Sequence, residues 1–390
     1  MRWLEGAPST AGSVLEWDVP LAPPAAESSP ALVREGVVRL ESPSGRMLVL
    51  PAFRGSESWR ARARADEPGT WRWSIAGSGG DGDSSDGDGG GDGTFAVSPA
   101  PPGERSGGPL RVAASGRHLE TQRGEPFFYL GDTAWFVTFK GAPPDWERYL
   151  DRRAAQGYSV VQIQLLPFQW ETPDPEGHLP FVDDDLGRPN EPYFARVDRF
   201  CALAAARGLY VLLALMWGGN RPGLAGSHFS TAQAVDFARY AVARYAAFPV
   251  LWSLSGDAPY VQEAEKWDAV GAAVEDTDPY RHPTTNHLPP TMNWHFLHHG
   301  AAWHDFHMLQ TGHRRGNTPD VAALPAAYSR HAAAKPVVNG EPWYERHPQM
   351  DGWHERARQP GSPPSYGEPF SAVDARYAFW TSVLGGATMG

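Results

Sequence analysis

Asp257 and Glu341 stand out for the company they keep. Each follows a glycine (Gly256, Gly340), each lies just past a short apolar run (Val250 to Leu254, Pro336 to Val338), and aromatic residues flank both. Paired carboxyl groups suit glycosidic bond cleavage. One protonates the leaving oxygen, and the other attacks the anomeric carbon or activates water. A separation of about 5–5.5 Å implies retention of configuration, and about 6.5–9.5 Å implies inversion. The glycines read as room for substrate to approach. Either acid alone could equally cap a helix or pair with an arginine; as a pair among aromatics they favour chemistry.

Such a pair needs a frame that gathers strand ends, and the chain from about residue 125 alternates strands with helices. Apolar runs at Phe127 to Leu130, Val160 to Leu166, Tyr210 to Trp217, Val250 to Leu254, Pro283 to Asn286, Phe306 to Leu309, Pro336 to Val338 and Ala387 to Met389 supply eight strands. Trp146, Tyr149, Leu150 and Ala154 recur at helical spacing before Gly157, as do Phe194, Val197, Cys201 and Ala204 before Gly208. Residues 126–390 have the length, ~250 residues, of a (β/α)8 TIM barrel. A doubly wound sheet would show a glycine-rich phosphate loop after its first strand, and Gly131-Asp132-Thr133-Ala134-Trp135 is not one. The chain stops at its eighth strand, with no eighth helix.

A barrel carries its site at the C-terminal strand ends. The substrate-binding candidates there are Asp132 and Trp135 (strand one), Gln162, Gln164 and Trp170 (two) and Trp217 (three). Asn286 and His287 (five), Gln310 and His313 (six), and Trp343 and Tyr344 (seven) complete the set. Asp132 could bind a sugar hydroxyl or simply brace the barrel mouth. His287, His295, His298, His299, His304, His307 and His313 crowd one segment, and His295 with His299 could bind zinc if helical. The HExxH glutamate is missing, so HFLHHGAAWHDF reads as a loop packing aromatics around the site, with no metal. The one cysteine, Cys201, lies on a helical apolar face and reads as a buried, inert thiol.

Residues 1–98 lack helical periodicity. Alternating stretches at Val14 to Val19, Val33 to Leu40, Met47 to Pro51, Ser58 to Ala63, Thr70 to Ile75 and Thr94 to Val97 imply an immunoglobulin-like β-sandwich. The segment 77–93 is nearly all Gly, Asp and Ser. It lacks the terminal glutamate of a calcium loop and reads as an expanded hairpin loop. Residues 99–125 form the linker and barrel lead-in. The fold class is α/β, a barrel with an N-terminal sandwich.

A formal net charge of −11 argues against nucleic-acid and anionic-membrane partners. The N-terminus lacks an apolar core of signal-peptide length, so a soluble cytoplasmic protein is expected. Sixteen tryptophans suit a carbohydrate partner, because sugar rings stack on aromatic planes, although aromatics also fill cores. Nothing in the chain calls for a cofactor, and oligomeric state is not legible.

PFFYLGDTAW, RAAQGYSVVQIQLL, RGLYVLLALMWGG, VLWSLSGD, DFHMLQTGH and KPVVNGEPWYE, in that order, resemble the signature segments of the apiosidase-like glycoside hydrolases, (β/α)8 enzymes related to the retaining clan A glycosidases. ESPSGRMLVLPAF, DEPGTWRW and GTFAVSP resemble the sandwich domain that commonly precedes that module. The resemblance implies that Asp257, in Ser255-Gly256-Asp257, is the general acid/base, and that Glu341, in Gly340-Glu341, is the nucleophile of a double displacement. Ser255 replaces a family glycine, and Leu288 separates His287 from Pro289 where the family often has His-Pro. The expected activity is retaining hydrolysis of plant-cell-wall or pectic oligosaccharides. The bulky insertion at Pro173 to Asn190 would close one end of the groove and favour exo action. The alternatives are a non-catalytic carbohydrate-binding barrel and a metal-dependent barrel hydrolase.

Overall fold

The structure, a computed structural model, describes residues 1–3, 10–21, 32–75, 91–100, 107–169, 171–218, 226, 228–290, 296–331, 334–350 and 367–390. Trp170, His295 and residues 77–90 of the Gly/Asp-rich segment lie outside them.

Seven strands come first: β1 (Arg2–Trp3), β2 (Ser13–Val19), β3 (Val33–Glu41), β4 (Met47–Arg54), β5 (Trp59–Ala65), β6 (Gly69–Ile75) and β7 (Gly91–Val97). They hydrogen-bond as one antiparallel sheet in the order β1-β2-β5-β4-β3-β6-β7. β2 and β7 lie near opposite edges of that order, yet Trp17 of β2 meets Phe95 of β7 at 6.2 Å, and Ala11 N donates to Ser98 O at 2.8 Å. The sheet therefore curls onto itself around Trp17, Trp71 and Phe95, giving the sandwich-like core. β7 starts at Gly91, earlier than the sequence suggests; the indole of Trp73 lies over Gly93, where a Cβ would come within 3.0 Å of it.

β5 reads Trp-Arg-Ala-Arg-Ala-Arg-Ala, a period-two pattern whose arginine face would ordinarily meet water. Here it meets the second domain. Arg62 donates to Glu16 (2.8 Å) on β2 and, through both Nη atoms, to Asp198 (2.9 and 2.7 Å). Arg244 donates to the same Asp198 (2.9 and 2.6 Å) and to Glu191 (both 2.9 Å), which also pairs with Arg60. The guanidinium groups of Arg60, Arg62 and Arg244 lie 5.0–5.3 Å from the Phe53 ring centre. Three cations and three anions thus share a buried interface in which each charge is paired, the condition under which burying them is tolerable.

Three short strands, β8 (Leu110–Val112), β9 (Leu119–Thr121) and β10 (Pro126–Phe127), form a small antiparallel sheet. Leu110 and Leu119 pack against Val160 and Tyr210, the first residues of two barrel strands, and plug the N-terminal end of the barrel. The segment read as a lead-in is thus partly a stopper, and Pro126–Phe127 belongs to it. The first barrel strand starts later, at Gly131.

The barrel is β11 (Gly131–Thr133), β12 (Val160–Gln164), β13 (Tyr210–Trp217), β14 (Val250–Gly256), β15 (Thr284–His287), β16 (His307–Gln310), β17 (Val337–Glu341) and β18 (Thr388–Met389), all parallel and in sequence order. A parallel bridge between Leu130 and Met389 closes it. Outside lie α1 (Val137–Lys140), α2 (Pro143–Ala155), α3 (Glu191–Ala205), α4 (Thr231–Tyr245), α5 (Ala264–Thr277), α6 (Thr318–Ser329) and α7 (Ala372–Leu384). Gly157 and Gly208 end α2 and α3 at φ +83° and +69°, the left-handed stop that glycine adopts without strain. Among the described residues no helix is long and apolar enough to cross a membrane.

Cys201 is wholly buried on α3, and burial pushes its thiol pKa up. A thiol-specific disulfide reagent should leave the native protein unmodified and titrate one thiol after denaturation; fast native labelling would contradict this packing.

Candidate active site

The mouth of the barrel assembles from strand ends that are distant in sequence. Asp257 directly follows β14, and Glu341 ends β17. Both strands are irregular there: the β14–β15 register shifts between Ser253 and Gly256, and the β16–β17 register between Leu309 and Gln310. Such bulges re-aim side chains beside functional sites. Asp257 also has φ +49°, a left-handed conformation uncommon for a residue with a Cβ. Tyr260 Oη donates to Ser255 O (2.6 Å) and Gly218 N to Gly256 O (2.8 Å), fixing the turn that holds it.

The two glycines have another job than the one inferred from sequence. A Cβ on Gly256 would lie 2.1 Å from the Trp217 ring, and one on Gly340 would lie 2.6 Å from Met308 Cγ. They make room for the Trp217 ring and the Met308 side chain. Gly256→Ala should displace the Trp217 indole and cost about 1–3 kcal/mol of stability, the usual range for overpacking. Thermal unfolding and tryptophan fluorescence test this, and an unchanged indole environment would contradict it.

Glu341 is 8% exposed. His313 Nε2 stands 2.9 Å from its Oε1, and His287 Nε2 stands 3.2 Å from its Oε2. Burial alone would raise the carboxyl pKa. The His313 hydrogen bond and the charge of both imidazoles outweigh it and hold Glu341 well below the usual carboxylate range. Burial likewise disfavours a charged His287, yet Glu341 and Asp257 raise its pKa. The other ring nitrogen, Nδ1, lies 3.9 Å from Asp257 Oδ1, so one imidazole spans the gap between the two acids.

Around them stand the indoles. Trp135 and Trp217 contact edge to face at 5.0 Å, and each lies 5.5 Å from the His287 ring. Tyr344 packs 4.6 Å from His313 and donates from Oη to Thr133 Oγ1 (3.1 Å). Asp257, Glu341, His287, His313, Trp135, Trp217 and Tyr344 therefore form one cluster. Gln164, Asn286 and Gln310 are buried at the neighbouring strand ends, with Gln310 in register with Glu341.

Three sequence candidates sit elsewhere. Asp132 accepts from Tyr149 Oη and from Arg153 Nε (2.8 Å), so it ties β11 to the outer helix α2 and is a brace. Gln162 is engaged inside the barrel: Oε1 accepts from Tyr129 (2.8 Å), and Nε2 donates to Thr133 Oγ1 (2.7 Å) and Gly340 O (2.8 Å). It supports the peptide before Glu341 and has no donor to spare. Trp343 points into an outer cluster, stacked on Phe370 at 5.1 Å, where the chain has left the strand that ends at Glu341.

The histidine-rich loop also packs away from the mouth. His299 Nδ1 and His307 Nε2 are 2.7 Å apart in parallel rings, His307 abuts Tyr328 of α6, and His298 bonds Asp268 of α5 (2.9 Å). Among the described residues no group of three or more His, Cys, Asp or Glu is placed to hold a metal ion. Sequence reading missed His347, stacked 4.0 Å from His313, and Phe168, 6.0 Å from Trp217. His347 lies two residues past the end of KPVVNGEPWYE and six past Glu341, and that proximity was the available signal.

Residues 113–390 match the sequence model of the apiosidase-like catalytic domain. The chain belongs to the apiosidase-like family. Its barrel lies within the apiosidase-like catalytic domain, preceded by the curled antiparallel sheet. A glycoside hydrolase family 5 structure from Bacteroides vulgatus is similar at 26% identity and a TM-score of 0.62, over 74% of this chain and 63% of that one. Another structure, named only as a glycoside hydrolase, gives 26% and 0.62 over 74% and 66%. The apiosidase-like chain thus spans just under two thirds of either relative. A second Bacteroides vulgatus glycoside hydrolase structure shares the fold at 19% identity, with a TM-score of 0.72 over 97% of this chain and 71% of that one. No curated protein sequence matches.

Proposed function

We propose that this chain hydrolyses O-glycosidic bonds of plant-cell-wall or pectic oligosaccharides by a retaining double displacement, acting from the chain end. The observation that carries this reading is Glu341, a buried carboxylate held ionised and oriented by two imidazoles at the mouth of a glycosidase barrel. An ionised, fixed carboxylate suits attack on an anomeric carbon. Asp257 lies across His287, and its side chain is 37% exposed, open to both a leaving group and an incoming water.

In the first step Asp257 protonates the glycosidic oxygen while Glu341 forms the glycosyl ester. In the second, Asp257 takes a proton from water as the water attacks C1 and Glu341 departs. Trp135, Trp217 and Tyr344 offer aromatic surface for the sugar ring. Phe181 of the insertion after β12 packs on Phe194 and Phe237 of α3 and α4, which ties the insertion to the outer helices.

The test is a panel of aryl apiosides, arabinofuranosides, rhamnosides and galactosides together with pectic oligosaccharides. Proton NMR of the first-formed anomer decides the stereochemistry. Retained configuration and release of single terminal sugars are expected; an inverted anomer overturns the double displacement, and internal cleavage overturns the exo assignment.

A further inference from the structure

His287 is completely buried at the end of β15, and its ring meets charged groups on two sides only among the described residues. Nε2 faces Glu341 of β17 at 3.2 Å and Nδ1 faces Asp257 of β14 at 3.9 Å. Trp135 and Trp217 pack against it, both 5.5 Å away, Tyr260 Oη approaches its backbone, and His313 and Tyr344 lie beyond Glu341. An imidazole placed between two acids and walled by indoles suits a cation, since both the carboxylates and the aromatic faces stabilise positive charge.

We propose that His287 is a positioning residue: an imidazolium that keeps its proton throughout turnover while its anionic partner alternates between Glu341 and Asp257. This rests on the double displacement proposed above. In the free enzyme Glu341 is an anion, His287 a cation and Asp257 a neutral acid, so the trio is neutral. When the Asp257 proton passes to the leaving oxygen and Glu341 becomes a neutral ester, the anion is now Asp257. The trio is again neutral around the same cation. Water then gives its proton to Asp257 and its oxygen to the anomeric carbon, and Glu341 leaves as carboxylate.

The arrangement resets Asp257 without moving it. While Glu341 is ionised, the two charges beside Asp257 offset each other and its carboxyl can stay protonated as an acid. Once Glu341 is esterified, only the imidazolium remains nearby and favours the carboxylate that serves as base. Burial without these acids would favour neutral imidazole, and their pull reverses that preference.

The experiment is NMR titration of the full chain labelled with 13C and 15N in histidine. The His287 ring is assigned from the signal lost in His287→Gln or, should that variant not fold, from its contacts to the Trp135 and Trp217 indoles. Both ring nitrogens should be protonated at pH 6, with a midpoint above the ordinary ~6.5 of an imidazole. Glu341→Gln should lower that midpoint by about a unit or more, whereas Asp257→Asn, which replaces a neutral acid with a neutral amide, should leave it nearly unchanged. A neutral ring at pH 6, or a midpoint indifferent to Glu341→Gln, overturns the role of His287. Turnover by Glu341→Gln on the glycoside panel instead overturns the double displacement and leaves the titration readable.

Discussion

Glu341→Gln is expected to lose about 10⁴-fold or more in kcat/KM on whichever glycoside the chain cleaves, a barrier increase of roughly 5.5 kcal/mol. The amide keeps the shape and accepts one hydrogen bond but cannot attack the anomeric carbon. Asp257→Asn should cost about 10²–10⁴-fold where the leaving group needs a proton. It should cost much less with an acidic nitrophenol leaving group, which departs without help. The contrast separates the two roles: a Glu341 variant fails on every substrate, whereas the Asp257 variant regains its first step on activated ones. Steady-state rates on paired activated and unactivated substrates check this. Equal losses on both for Asp257→Asn would remove it as the acid. Because Glu341 is held as an anion well below the usual carboxylate range, the acidic limb of wild-type kcat/KM should fall below about pH 4.

Asp198→Asn is expected to cost about 3–5 kcal/mol of stability. Asp198 accepts from both Arg62 and Arg244, each almost wholly buried, so the substitution leaves two inward guanidinium groups one anion short. The curled sheet and the barrel meet at this point, and their unfolding should separate into two transitions in the variant against one expected for the wild type. The pH dependence has a definite sign. Burial would raise the Asp198 carboxyl pKa, but the charges and hydrogen bonds of Arg244 and Arg62 pull it far below the usual range. A group with a depressed folded-state pKa stabilises above its unfolded value, about 3.9, and loses that contribution as pH falls toward the folded value. Wild-type stability should therefore drop below about pH 4, and Asp198→Asn should flatten that slope. Denaturant unfolding between pH 2 and 7 measures both, and equal slopes would remove Asp198 from the acid response.

The barrel was legible because its signals are local. Glycines past helix ends, as at Gly157 and Gly208, and apolar strands buried on both faces, as at Tyr210 to Trp217, repeat along the chain. The mouth was half legible. Parallel strands must end on one side, so residues just past them converge, and His287, His313, Trp135, Trp217 and Tyr344 do. What failed was side-chain direction. Asp132 and Trp343 also lie at strand ends, yet they turn outward to α2 and α7. Successive strand residues face opposite ways, and past a strand end the turn sets the direction, so position along the chain alone does not decide which face a side chain meets.

The eight-strand alternation, the β domain before it, and the glycine-acid pairs at strands four and seven can all be read along the chain, because periodicity and turn chemistry act over a few residues. What those residues touch is a matter of how the chain packs. It buried the arginine face of β5 against α3 and α4, where the pattern Arg-Ala-Arg-Ala-Arg would suggest water. It filled the space above Gly256 with the Trp217 ring. It set His287, about thirty residues from Asp257 and over fifty from Glu341, between the two acids. Charge pairing and packing depend on distances across the barrel, and those arise only when the strands close into a ring.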